Sequence, residues 1–325
     1  MRVCVLTADN AASASPFASH DPTPDPAVHA AEHDWHRVTV AKATAAAQIA
    51  ALAHEGFDVF VNLCDGAAQE DRAGIEVVQA LHALGLPFTG AGPQFYEPDR
   101  RAMKAGCVRA AIATPPWHLA SNLDDVAIAA RTLPWPLFVK HPNGYSSVGI
   151  GRDACCEDER QLRSVAERTI AQYGAALLES FIGGREFTVL VAEPGQGETM
   201  PRVWPPVEIQ FPPGERFKHF DLKWLDWRGL GTREVVEPLL AARICSDARA
   251  FFVAMGGDGY ARCDLRMDAA GQLYMLEINP NCGIFYPTGA YGSADEILVR
   301  AAGGHRAFLE HLMQCAIRRA RTSGP

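Results

Sequence analysis

The sequence predicts an α/β amino-terminal unit built on a parallel sheet, followed by two lobes of α+β character. Three observations carry that prediction. From Arg2 to Gly92, short apolar runs alternate with stretches of helical period, the rhythm of strand–helix–strand units. Beyond that point strands come grouped beside helices rather than in strict alternation. The chain has 325 residues and is 48% hydrophobic, enough for a core spread over two or three subdomains. The expected divisions are 1–95, 96–184 and 185–325.

The elements follow in order. Arg2 to Leu6 is a short buried strand. Residues 11 to 34 lose all period and are rich in Ala, Ser, Pro, Asp and His, which predicts a long surface loop. Its His20, His29 and His33, with His36 just beyond, are irregularly spaced and read as solvated side chains rather than metal ligands. Lys42 to His54 is helical, Asp58 to Leu63 is a buried strand, and Ile75, Val78 and Leu81 share a helical face. Leu86 to Thr89 completes the unit as a further strand. Next come helices over Arg100–Ala111 and Asp124–Thr132, a strand over Leu137–Lys140, and a small-residue loop from Asn143 to Gly149. Glu157–Tyr173 is helical, and Ala176–Ile182 and Glu186–Val191 are strands. The remainder mixes strands at Val203–Phe211, Tyr260–Arg266 and Leu273–Asn279 with helices at Pro238–Met255 and His305–Arg319.

Several function classes are excluded. Thirty basic residues against 38 acidic ones give a net charge of −8, and no block of like charge suggests a nucleic-acid arm or a basic membrane face. The opening Met1-Arg2-Val3-Cys4-Val5-Leu6-Thr7 has too short an apolar run for a secretory signal. No run approaches the roughly eighteen apolar residues of a membrane span. The nine cysteines are scattered, with no Cys-x-x-Cys pair, as expected of reduced thiols in the cytoplasm.

Chemistry concentrates near the carboxyl end. Arg262-Cys263-Asp264 and Glu277-Ile278-Asn279 lie on two apolar strands joined by the turn Asp268-Ala269-Ala270-Gly271. Period-two alternation puts Arg262 and Asp264 on one face, and likewise Glu277 and Asn279. Such a set of hard oxygens suits magnesium, which takes a few carboxylates together with substrate phosphates. The bland alternative is a solvated hairpin face, which the apolar neighbours of these charges oppose. Gly283 follows closely and could offer its N–H to a developing oxyanion. Upstream, Lys140 ends an apolar strand and leads into Gly144-Tyr145-Ser146-Ser147-Val148-Gly149. Backbone N–H groups of such a loop can wrap a phosphate, although no Gly-Lys-Ser/Thr closes it as in a P-loop.

In this order the residues resemble the D-alanine–D-alanine ligase branch of the ATP-grasp superfamily, from about Asp58 onward. Leu86-Pro87-Phe88-Thr89-Gly90 is similar to that family's Pro-Tyr-Thr-Gly, Asp99-Arg100 with Lys104 to its Asp-Lys-x-x-x-Lys, and Ile112-Ala113-Thr114-Pro115 to its Ile-Pro-Thr-Pro. Val139-Lys140 through Ser146-Ser147-Val148-Gly149 resembles its Lys-Pro…Gly-Ser-Ser-x-Gly loop, and Glu179 to Glu186 its Glu-x-Phe-Ile-x-Gly-x-Glu. Arg262, Asp264, Glu277, Asn279 and Gly283 match the catalytic strands. The resemblance implies a two-lobed ATP-grasp fold behind the parallel unit, and an ATP- and magnesium-dependent carboxylate–amine ligase working through an acyl phosphate. It implies that Lys104, Lys140 and Lys223 contact ATP together with Ser146 and Ser147. Glu179, Ser180, Phe181 and Ile182 would hold the adenine, and Glu186 the ribose. Asp264, Glu277 and Asn279 would hold two Mg2+ (or Mn2+) ions. Arg262, Gly283, Lys223 and Ser146 would be catalytic. It also implies amino-acid or short-peptide substrates and a homodimer.

The departures cluster where the amino acids would bind. The family's Gly-rich, Ser-x-Glu opening is replaced by Thr7-Ala8-Asp9-Asn10, its Leu-His-Gly by Cys64-Asp65-Gly66, and its Met-Thr-x-x-Ser-Leu by Ile284-Phe285-Tyr286-Pro287-Thr288-Gly289. Trp224 stands where a tyrosine is expected. Asp9, Asp65, Glu70, Ser146, Trp224, Tyr286 and Thr288 are therefore candidate pocket residues, with packing aromatics an equal reading of Trp224 and Tyr286. Retained phosphate chemistry beside altered recognition groups points to another substrate pair. An ATP-grasp kinase and a non-catalytic ATP-binding module are the alternatives, the intact metal oxygens counting against the second.

Overall fold

A computed structural model describes residues 1–11, 13–15, 20–144 and 146–322. The first unit contains β1 (Arg2–Ala8), β2 (Asp34–Val40), α1 (Ala45–Leu52), β3 (Val59–Asn62) and α2 (Ile75–Ala83). Then come α3 (Arg100–Arg109), β4 (Trp117–Ala120), α4 (Leu123–Thr132), β5 (Leu137–Lys140), β6 (Cys155–Cys156), α5 (Glu159–Tyr173) and β7 (Ala176–Ser180). The rest comprises β8 (Arg185–Ala192), β9 (Arg202–Val203), β10 (Val207–Gln210), α6 (Phe220–Trp224), β11 (Gly231–Glu234), α7 (Pro238–Ala254), β12 (Tyr260–Met267), β13 (Leu273–Pro280), α8 (Ser293–Leu298) and α9 (Gly304–Thr322).

The first sheet is parallel, in the order β2-β1-β3. Alternation sends Cys4, Leu6 and Phe60 to one face, where they meet Ile49, Val77, Val78 and Leu81 of α1 and α2. Val3, Val5, Val59 and Val61 go to the other, where Phe308, Leu309, Leu312 and Met313 of α9 cover them. Each such fully buried side chain contributes about 1.5–3 kcal/mol, so the chain's last helix is a principal support of its first sheet. Arg319 on α9 adds hydrogen bonds to the carbonyls of Phe88 (2.7 Å) and Gly90 (3.1 Å). Two expectations are corrected. The sheet has β2 as an unexpected strand beside β1, and Leu86–Thr89 is not a strand but a single parallel bridge from Phe88 to Phe60 of β3, before Gly90 turns the chain with φ 93°. The surface loop therefore ends where β2 begins, and His29 is not simply solvated, because its ring stacks on His305 at 4.4 Å.

The second sheet is antiparallel, in the order β4-β7-β5-β6, with α4 and α5 against it. Asp158 caps the start of α5 by accepting from the Gln161 N–H, and Gly174, left-handed at φ 78°, ends it. The third sheet runs β11-β10-β8-β12-β13, with β9 on the edge of β8. One face, with Phe187, Val189, Cys263 and Leu265, packs on Phe251 and Phe252 of α7 and Met103 of α3. Its opposite face looks towards the second sheet. No helix among the described residues is long and apolar enough to cross a membrane.

Candidate active site

A cavity of about 780 Å3 lies between the second and third sheets. Its floor is the β12–β13 pair, whose register sets Arg262 opposite Asn279 and Asp264 opposite Glu277. Asp264 accepts from Thr188 Oγ1 (2.7 Å) and from Arg262 Nε (3.0 Å) on Oδ1, and from Arg262 Nη2 (2.8 Å) and Asn279 Nδ2 (3.2 Å) on Oδ2. Glu277 accepts from Asn279 Nδ2 (3.3 Å) and Arg100 Nη1 (2.8 Å). Burial alone would raise the Glu277 carboxyl, but Arg100 and Lys140 hold it well below the usual carboxylate range. Burial also works against the charge on Arg262, and Asp264 outweighs it. Between Asp264 and Leu265 the register skips Leu276, a bulge in β13 immediately before Glu277 and a common device beside reactive centres.

The donor set fits magnesium. No group of three His, Cys, Asp or Glu side chains assembles among the described residues, so a metal ion would not be caged by protein alone. Two carboxylates and one amide oxygen leave coordination positions for phosphate and water, which this small, strongly hydrated ion requires.

The roof carries the lysines. Lys104 and Lys140 are both buried and both pair with Glu179, Lys140 at 2.6 Å, and Lys104 also donates to Thr114 Oγ1 at 2.8 Å. Lys140 and Glu179 line the cavity, whereas Lys104 is absent from its wall and reaches the site through Glu179. Lys223 on α6 faces the cavity from a third side. Burial, with Arg262 and Lys218 adding to it, pushes its ammonium down to about 8.

Between roof and floor is an apolar slot. Phe138 stacks on Phe181 at 5.7 Å and meets Phe217 edge-on at 4.8 Å, while the Arg266 guanidinium lies 4.7 Å over the Phe181 ring. Ser180 and Ile182 line the same cavity, and Glu186 stands between Lys218 (3.6 Å) and Arg266 (3.4 Å). In the loop after β5, Ser146 and Ser147 are both left-handed, at φ 54° and 59°, a costly conformation that its surroundings must hold. Trp224 Nε1 donates to the Ser146 carbonyl (3.0 Å), and Ser147 Oγ to the Lys218 carbonyl (2.9 Å), tying this loop to α6 and the segment before it. Tyr145, between Gly144 and Ser146, falls outside the described residues.

The inner end is built from distant pieces. Gly283 lets this wall close in, because a Cβ there would fall 2.3 Å from the Tyr286 hydroxyl and the ring would have to shift. That hydroxyl donates to Asp21 Oδ1 at 2.7 Å. Arg72, fully buried, pairs with Asp65 (2.5 Å) and Asp21 (3.5 Å). Burial pushes the Asp65 carboxyl up to about 6, with Arg72 opposing. Thr288 meets Tyr291 hydroxyl to hydroxyl at 3.1 Å on the same wall. Of the pocket residues expected from sequence, Asp65, Ser146, Trp224, Tyr286 and Thr288 line the cavity. Glu70 and Asp9 do not. The Glu70 carboxylate turns back to the Ala67 N–H (3.3 Å), and that of Asp9 caps the Ala11 N–H (3.0 Å). Sequence reasoning missed Asp21, Arg72, Arg100 as a partner of Glu277, Phe217, Lys218 and Arg266. Only Arg266 carried a signal, the period of two that runs on from Arg262 and Asp264.

Two antiparallel sheets enclosing a cleft with buried lysines above and strand-borne carboxylates below define an ATP-grasp fold. Solved structures agree: D-alanine–D-alanine ligase from Coxiella burnetii superimposes with a TM-score of 0.70 at 17% identity, covering 99% of this chain and 95% of that one. The enzyme from Bacillus anthracis does so with 0.68 at 17%, over the whole of both chains. The family model described as the D-ala D-ala ligase C-terminus matches residues 110–290. D-alanine–D-alanine ligase B of Chromobacterium violaceum is 30% identical over 239 residues, 73% of this chain and 74% of its own, and the ligase of Laribacter hongkongensis is 30% identical over 243. The chain belongs to the D-alanine–D-alanine ligase family, and is an ATP-dependent ligase that forms C–N bonds.

Proposed function

We propose that this ligase uses ATP to phosphorylate the carboxylate of one amino acid and passes the acyl group to the amine of a second, forming an amide and releasing phosphate. The observation that carries the reading is the register of β12 and β13, which sets Arg262, Asp264, Glu277 and Asn279 on one face beneath Lys140 and Lys223. A free carboxylate is a poor electrophile with a poor leaving group. Transfer of the γ-phosphoryl to its oxygen converts that oxygen into part of a good one. The nucleotide base fits the slot of Phe138, Phe181 and Phe217, with Glu186 at the ribose. Lys140, Lys223 and the N–H groups around Ser146 and Ser147 face the phosphates and stabilise their charge. Asp264, Glu277 and Asn279 would hold magnesium ions, which when bound neutralise charge on the transferring phosphoryl group. Arg262 and the Gly283 N–H would stabilise the oxyanion that forms when the amine attacks; the carbon–oxygen bond to the phosphoryl group then breaks, and the departing phosphate takes the proton from the nitrogen. The Ser146–Ser147 loop, tied to Trp224 and Lys218, keeps water from the acyl phosphate.

The substrate pair is set by this chain's own Asp21, Asp65, Trp224, Tyr286 and Thr288, which supports a pair other than two D-alanines. The cytoplasm is the setting we propose, supported by nine free thiols, eight of them buried. We also take divisions 1–95, 96–184 and 185–325 as its functional units and a homodimer as its assembly. ADP release measured over paired amino acids, with mass detection of the product, tests the reaction. Release that needs both partners is expected. Release with the carboxylate alone would instead indicate a kinase, and ATP binding without turnover a binding module.

A further inference from the structure

A second chamber, of about 200 Å3, adjoins the main cavity, sharing Asp21, Asp65, Gly283 and Tyr286 with it. Its far wall is the carboxyl edge of the parallel sheet, where Thr7 on β1 and Thr39 on β2 are register partners. Open parallel sheets collect small ligands at this edge, because the chain departs there in different directions and leaves a crevice. The wall is polar: Asn10 joins the two threonines, its Oδ1 accepting from Arg72 Nε at 2.9 Å. The mouth is acidic, since Asp21 and Asp65 share the single guanidinium of Arg72. The loop that brings Asp21 is fastened twice to the segment after β13, by the Tyr286 hydroxyl and by the Asp25 N–H on the Phe285 carbonyl (2.8 Å). A cavity of roughly 150 Å3 accommodates a benzene-sized group, so a lone methyl would leave this chamber largely empty.

We infer that this chamber is the side-chain pocket of the amino acid whose carboxylate is activated, that Asp21 and Asp65 receive its ammonium group, and that it selects a polar side chain larger than methyl. The inference rests on the ligase reading above. The occupant is the acyl donor for two reasons. The chamber opens at Gly283, beside the developing oxyanion. Paired carboxylates also hold an amine protonated, which would silence the attacking amine but suits the donor's spectator ammonium.

The test varies the donor (alanine, serine, threonine and asparagine in both configurations, and the matching 2-hydroxy acids) at saturating ATP and acceptor, following ADP release. The best polar donor is expected to exceed alanine at least tenfold in kcat/KM, and the 2-hydroxy acids are expected to fail. Asp21→Asn keeps an oxygen for Tyr286 and raises the donor KM by about tenfold to a hundredfold, with the KM for ATP unchanged. Thr39→Leu, at an exposed strand end, fills the chamber and returns the preference to alanine without altering the melting temperature. Alanine as the best wild-type donor, or an unchanged donor KM in Asp21→Asn, overturns this inference alone. No ADP release from any pair overturns the ligase reading and this inference with it.

Discussion

Replacing Glu179 by Gln tests whether one carboxylate holds the lysine roof together. Glu179 is 2% exposed and pairs with two buried ammonium groups. Burial would raise its carboxyl, yet Lys104 and Lys140 hold it at about 2 against an ordinary 4.5. That difference corresponds to about 3 kcal/mol of folding stability, within the range of about 3–5 kcal/mol for breaking a buried pair. The folded carboxyl is the stronger acid, so this contribution is present above about pH 4.5 and is lost as the pH falls towards 2. Denaturant unfolding of wild type and Glu179→Gln should therefore differ by about 3 kcal/mol near pH 7 and by about half as much near pH 3. An unchanged midpoint near pH 7, or a gap that does not narrow in acid, would refute the pairing as the source of stability.

Other substitutions probe the chemistry. Asp264→Asn or Glu277→Gln should abolish ADP formation while a cooperative unfolding transition persists; activity retained with added magnesium would remove the proposed metal role. Gly283→Ala should lower kcat by at least about tenfold, because its Cβ meets the Tyr286 hydroxyl, and adding Tyr286→Phe should restore part of the loss. Lys223 loses its charge as the pH rises through about 8, so kcat/KM for ATP should fall over that limb in free-enzyme profiles. Lys223→Arg, which stays charged, should erase the limb, and a limb that persists in it belongs to another group.

The floor of the site was legible because its information is local. Polar and apolar residues alternate along β12 and β13, and the turn at Asp268–Gly271 fixes which of them face one another. The apolar period also revealed both helices of the first unit. What stayed hidden depends on contacts remote in sequence. Asp34–Val40 follows a loop without period and pairs with a strand some thirty residues earlier, so it was missing from the expected sheet. Asp21 is held by Tyr286, 265 positions away. Lys104 and Lys140 were identifiable singly, but nothing local indicated that one glutamate would bridge them, or that Lys104 would stand behind it. Phe217 and Lys218 occupy a stretch with no regular element, where neither period nor capping signals a wall of the slot.

The clasp of α9 on the first sheet bears on biosynthesis. A nascent chain that has exposed β1 to β3 still shows Val3, Val5, Val59 and Val61 to the solvent, because their cover is made from residues 308 to 316. This sheet is thus sealed only after α9 has been made, and until then it presents an apolar surface that invites chaperones or mispairing. Removal of the final helix should leave the cleft residues in sequence but strand the amino-terminal unit in an aggregation-prone form.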